Sequence, residues 1–165
     1  NCLSYWWRNS TYFFIFIRWV RMEYLAQFIT SFIGSAGFGI IFNAPKESVI
    51  KCGFVGSIGW ICYFVLSQLG LDIVSSTAIA SALIALISQI FAQMYKTPMI
   101  IFTVGGIIPL VPGGMSYNAM RLFVENNYEQ ALIMAAKAFL ISGSIALGLI
   151  FSEVLYQILK KFKLI

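Results

Sequence analysis

The residues best placed to do chemistry in this chain lie between Pro98 and Met120, in the stretch PMIIFTVGGIIPLVPGGMSYNAM. Proline has no N–H and clashes with the preceding turn, and paired glycines loosen the backbone. Gly105, Gly106, Pro109, Pro112, Gly113 and Gly114 therefore interrupt an apolar run, which closes on Ser116, Tyr117 and Asn118. In lipid an opened helix leaves amides and carbonyls without partners. Such backbone survives only inside protein or beside a wet cavity. The chemistry expected is recognition of a solute along a path. A helix restarting after Gly113-Gly114 presents free N–H groups and a positive dipole end, a recurrent carboxylate site in transporters. Ser116, Tyr117 and Asn118 would add hydroxyl and amide contacts. The competing reading is a Pro-kinked helix with a tight loop, because transmembrane helices carry Gly and Pro more often than soluble ones.

Few ionisable groups can join that stretch at depth. Lys137 falls about two turns into the last apolar segment. An ammonium there either attracts a carboxylate or joins in proton coupling, unless its long stem snorkels to the interface. Arg121, just beyond the glycines, either faces the cavity or caps the outer surface. Glu153 reads as an interfacial carboxylate near the terminal lysines. The chain has no histidine, which removes the commonest general base and metal ligand. No serine has an evident activator, and no phosphate-binding loop is present. Cys2, Cys52 and Cys62 have neither metal nor redox spacing and read as small packing residues. The expectation is a protein that is not an enzyme and that holds no cofactor and no metal.

These groups must be positioned by membrane-spanning helices. The 165 residues are 60% hydrophobic and only 10% charged, against about 25% charged in soluble domains. Short alternating segments of the kind that build outer-membrane barrels are missing. The fold class is therefore all-α, a polytopic bundle of about five transmembrane helices with a broken Gly/Pro-rich fourth segment. Net charge is +5, but the basic residues scatter over span ends and form no patch with interleaved aromatics. That argues for topology control in a lipid bilayer and against nucleic acid.

Taken in order, residues 1–21 fit either an interfacial aromatic–basic helix or sequence ahead of a true start at Met22. The second is preferred, and residues 22–165 form the transmembrane domain. The spans run about 25–42, 49–69, 77–95, the broken fourth, and 130–159. Pro45 ends the first, with Ser48 expected to cap the second and Ser75-Ser76 the third. Gly34, Ser35, Ala36, Gly37 and Gly39 thin one face of the first span, as Gly53, Gly56, Ser57 and Gly59 do for the second. Ala78, Ser81, Ala82, Ala85, Ser88 and Gln89 make a small, faintly polar stripe on the third. That stripe is either a packing face or a pore lining. With the Lys160–Lys163 tail inside, five crossings put Lys46, Lys51 and Lys96 inside too. Asp72 and the 125–129 loop then fall outside. Arg8, Arg18 and Arg21 conflict with this scheme unless residues 1–21 cross as well or are absent from the mature chain.

Three of these stretches carry a resemblance when taken together: FNAPKESVIKCGFVGSIGW at Phe42–Trp60, KTP at Lys96–Pro98, and IIPLVPGGMSYNAM at Ile107–Met120. The chain resembles the threonine/serine exporter family, specifically its short membrane half, from about Met22 onward. The resemblance implies a larger membrane half as partner, on a separate chain, the two making a roughly ten-span exporter. It implies a small carboxylated solute, either threonine and serine or a dicarboxylate such as succinate. It carries over no binding residues, so the candidate set stays with the physical reading: Gly105, Gly106, Pro109, Pro112, Gly113, Gly114, Ser116, Tyr117, Asn118, Arg121 and Lys137. Location in the inner membrane with a cytoplasmic C-terminus follows, and self-association stays open. A scaffold subunit that transports nothing is the alternative function.

Overall fold

A computed structural model describes the backbone of residues 2–161 and the side chains of residues 22–158, 160 and 161. Lys163, part of the expected inner tail, lies outside the described residues, as does the Cys2 side chain. Six α-helices and one 3-10 turn make up the described chain: α1 Cys2–Ile41, α2 Lys46–Gln68, α3 Ile73–Tyr95, α4 Met99–Ile107, the turn Ile108–Leu110, α5 Gly113–Val124 and α6 Tyr128–Lys161. Four stretches are long and apolar enough to cross a membrane: Met22–Ile41, Lys46–Gln68, Ile73–Tyr95 and Tyr128–Ile158. The pair α4–α5, bent by 52° at its break, makes a fifth if taken as one span. At the ordinary rise per residue its two arms reach about 34 Å end to end, enough for a hydrocarbon core of about 30 Å.

The helix starts differ from those expected. α2 begins at Lys46 behind Pro45, and Ser48 is buried in its first turn. Proline's fixed φ suits the entry to a helix, and the Ser48 N–H bonds to the Pro45 carbonyl at 2.7 Å. α3 begins at Ile73 with Asp72 at the cap position. Ser76 then falls inside the helix, its N–H on the Asp72 carbonyl at 2.9 Å. Neither serine caps a helix.

Packing is sequential, with one exception. α1 lies on α2, α2 on α3, and α3 on α6. The exception is the fourth segment: α4 sits against α2 and α3, whereas α5 packs chiefly on α6. The expected thin face of α2 touches its neighbours, and on α1 Ser35 and Gly39 meet α2, whereas a Cβ at Gly34 or Gly37 would meet open space. On α2, Gly53 meets the Phe32 ring of α1, while Gly59 meets Ile84 of α3. The stripe on α3 is a packing face, with Ser81, Ala85, Ser88 and Gln89 buried. Gly148 of α6 rests directly on Ala78, Ser81 and Ala82, since without a hydrophobic drive in lipid, small residues and close backbones hold helices together. Val55, Ala80, Ile84, Leu110, Ile141 and Ile145 form the central cluster, drawn from α2, α3, the 3-10 turn and α6. Aromatic edges close the flanks, as in Phe91 on Phe102 at 5.8 Å and Tyr24 on Phe64 at 5.1 Å. The Lys51 ammonium lies 3.1 Å from the centre of the Tyr95 ring, tying α2 to the end of α3.

Candidate functional site

The break has a definite anatomy. Pro109 has no N–H, so in a continued helix it would leave the Gly105 carbonyl without its donor. The chain tightens instead to a 3-10 turn, with the Val111 N–H on the Ile108 carbonyl at 3.3 Å. Val111 is extended at ψ 128, and Pro112 follows at φ −77 and ψ 49. α5 then starts at Gly113, about half a turn earlier than a restart beyond the glycine pair. Pro112 offers no side-chain cap; the Gly113 N–H bonds back to the Val111 carbonyl at 2.8 Å and the Ser116 N–H to the Pro112 carbonyl at 3.0 Å, which leaves the Gly114 and Met115 amides of the first turn without an intrahelical acceptor. A Cβ at Gly113 or Gly114 would meet open space.

Two cavities flank this break. The first, about 220 Å³, is lined by Trp60, Tyr63, Ile73, Thr77, Pro109–Pro112, Gly114, Met115 and Ile141. The second, also about 220 Å³, lies beside α1 among Gln27, Thr30, Ser31, Gly34, Trp60, Ile108 and Pro109. Trp60 and Pro109 line both and so form the wall between them. The wall is pinned, because the Trp60 Nε1–H donates to Gln27 Oε1 at 2.8 Å. Thr77 lies about 6 Å along α3 from its start. The first cavity therefore sits past the middle of the bundle, toward the α2–α3 turn.

The expected residues divide into three groups. Pro109, Pro112 and Gly114 line the first cavity. Gly105 and Gly106 do not break the chain; they are buried inside α4, close against Cys52 of α2 and against Val55 and Ile84. Their role here is close helix contact. Gly113, Ser116, Tyr117, Asn118, Arg121 and Lys137 are exposed on this chain. The Ser116 hydroxyl donates back to the Pro112 carbonyl at 3.1 Å. Arg121 pairs with Glu125 at 3.0 Å on the surface of α5. Lys137 stands one turn before Ile141 on α6. The sequence reading missed Trp60, Tyr63, Thr77 and Gln27. Trp60 and Tyr63 follow a glycine-rich face in the sequence with nothing to mark them as cavity walls, and nothing local ties Gln27 to a tryptophan 33 positions away.

No solved structure matches this chain. A family model described as Threonine/Serine exporter, ThrE, matches residues 27–155. That span runs from within the first apolar segment to within the last and takes in the break and both cavities. The chain therefore belongs to the threonine/serine exporter family and is a multi-pass transport protein of the membrane.

Proposed function

We propose that this chain is the short membrane half of a split secondary exporter, carrying a small carboxylated metabolite across the inner membrane. Threonine and serine are the first candidates, and a dicarboxylate such as succinate the next. The observation that carries this reading is the interrupted fourth segment with a cavity at its bend. Backbone opened in a bilayer needs protein or a wet cavity beside it; Val111, Gly113 and Gly114 are exposed on this chain, which leaves room for a second chain beside them. The cavity is smaller than the ~300–1,000 Å³ of pockets for drug-sized ligands, which suits a small solute. The start of α5 offers the amides of Gly114 and Met115 and a positive dipole end to a carboxylate. Tyr63 and Thr77 bring hydroxyls, and Trp60 brings an apolar wall. In the proposed orientation Lys46, Lys51, Lys96 and the C-terminus face the cytoplasm.

The larger exporter half is the proposed partner. Ser116, Tyr117, Asn118, Arg121 and Lys137 point outward from this chain, where a second chain would meet them. That same placement favours a second reading, a scaffold whose partner holds the whole path. Pro112→Ala and Gly113→Ala separate the two when membrane assembly and solute efflux are measured together. Lost efflux with intact assembly supports transport through this chain. Lost assembly, or unchanged efflux, supports the scaffold.

A further inference from the structure

Ionisable side chains are costly in hydrocarbon, and those that remain there mark functional positions. Glu153 lies within the last span, on the part of α6 that packs on α3. Its Oε2 accepts the Gln89 Nε2–H at 2.8 Å, and its Oε1 accepts the Gln157 Nε2–H at 3.2 Å. Both partners are amides. Gln89 is only 3% exposed. Among the described residues, Gln89 Oε1, Ser88 Oγ and Ser152 Oγ are buried and have no hydrogen-bond partner. Buried polar atoms without partners call for an explanation in water, ion or proton.

We propose that Glu153 and Gln89 form a proton-exchange site, separate from the cavity at the break. The inference rests on reading the chain as part of a transporter. An arginine or lysine opposite Glu153 would hold the carboxylate ionised. An amide imposes no such choice, because its N–H donates to a carboxylate and its carbonyl accepts from a carboxylic acid. A half-turn of the Gln89 amide exchanges one bond for the other. In the arrangement seen, the N–H donates to Glu153 and the amide carbonyl has no partner. On protonation a proton from hydronium joins the carboxylate, and the new O–H turns to Gln89 Oε1; on release the proton returns to water. Ser88 and Ser152, the sequence neighbours of the two residues, are buried with their hydroxyls unpartnered, and a hydroxyl can both donate to and accept from a water.

The surroundings fit this role. α3 carries no Asp, Glu, Lys or Arg along its length, and its Tyr95 is covered by Lys51 of α2. On α5, Arg121 is already engaged with Glu125. On α6 itself Tyr156, Lys160 and Lys161 follow Glu153 toward the helix end, and Lys137 lies about 24 Å back along the axis. The pair and the cavity are about 18 Å apart along both α3 and α6. Those two helices, in contact along the Gly148 face, are the rods that join them.

The test uses membrane vesicles from cells expressing the full chain with the larger exporter half, loaded with radiolabelled threonine or succinate. Wild-type efflux is expected to rise when a pH gradient is imposed. Glu153→Gln should abolish that rise yet keep solute exchange at equal pH, and Glu153→Asp should restore part of the rise. A gradient response that survives in Glu153→Gln overturns the site. So does a wild type whose efflux ignores the gradient, or a Glu153→Gln protein at normal membrane level that has lost exchange as well. A wild type that carries neither solute sinks the transporter reading, and a second measurement then decides the site alone. Hydrophobic carbodiimides react with protonated carboxyls, so peptide mapping of the wild type should show Glu153 modified more as pH falls. Glu153 unmodified at every pH overturns the site, whatever the stability of the variants.

Discussion

The Trp60 indole separates two cavities, and one hydrogen bond to Gln27 holds it in place. Replacing the indole by a smaller ring removes that bond together with part of its packing. Trp60→Phe should destabilise the chain by about 0.5–1.5 kcal/mol, the scale of interhelical hydrogen bonds in membranes. Thermal unfolding in detergent reads this directly. Its larger effect should be on transport, because a freed ring no longer divides the cavities. Solute efflux should change more than stability does. At this scale the sequence said least. Proline and glycine announce a break by their own chemistry, so Pro109, Pro112 and Gly114 were legible as neighbours of a cavity. Trp60, Thr77 and the Gln89–Glu153 pair depend on contacts between residues far apart in the chain. No local spacing encodes those.

At the scale of helices, small residues serve two opposite ends. A Cβ at Gly148 would collide with the Ser81 side chain and the Ala78 carbonyl. Backbone cannot yield as a flexible side chain can. Gly148→Ala should therefore push α6 off α3 and cost about 1–3 kcal/mol, seen as a lowered melting temperature. Gly113 faces open space instead. Gly113→Ala should leave stability unchanged or raise it by up to about 1 kcal/mol, since alanine favours the helical state. If the start of α5 greets the solute, the same change lowers efflux without loss of stability. The spans themselves were legible because long apolar runs admit little else. Their starts were less so: Ser48 and Ser76 have the right chemistry for caps, but Pro45 and Asp72 had already turned the chain. Gly105 and Gly106 were read as breakers from type alone. Whether a glycine opens a helix or lets a neighbour approach is decided by what packs against it.

For the whole molecule, the question is whether the bent pair crosses the bilayer or returns to the side it entered. Its reach favours crossing. The turn at Lys96-Thr97 and the turn at Asn126-Asn127 should then lie on opposite sides. Thr97→Cys and Asn126→Cys, each in a background where Cys2, Cys52 and Cys62 are replaced by alanine, can be probed with a membrane-impermeant maleimide in intact cells. Labelling at Asn126 alone is the expected result, and equal labelling at both would mean a re-entrant loop. This crossing count also fixes the proposed sidedness of Glu153 and of the cavity, on the α3–α4 and α2–α3 sides of the bundle respectively.

The elbow at Val111–Pro112 has a mechanical corollary. It is the lone covalent seam between a rod clamped by α2 and α3 and a rod carried on α6. Should α6 tilt, α5 would swing with it like a door leaf while α4 stayed put. The chamber beside Trp60 would widen or shut by that swing, and the bundle would need no separate flap to govern passage.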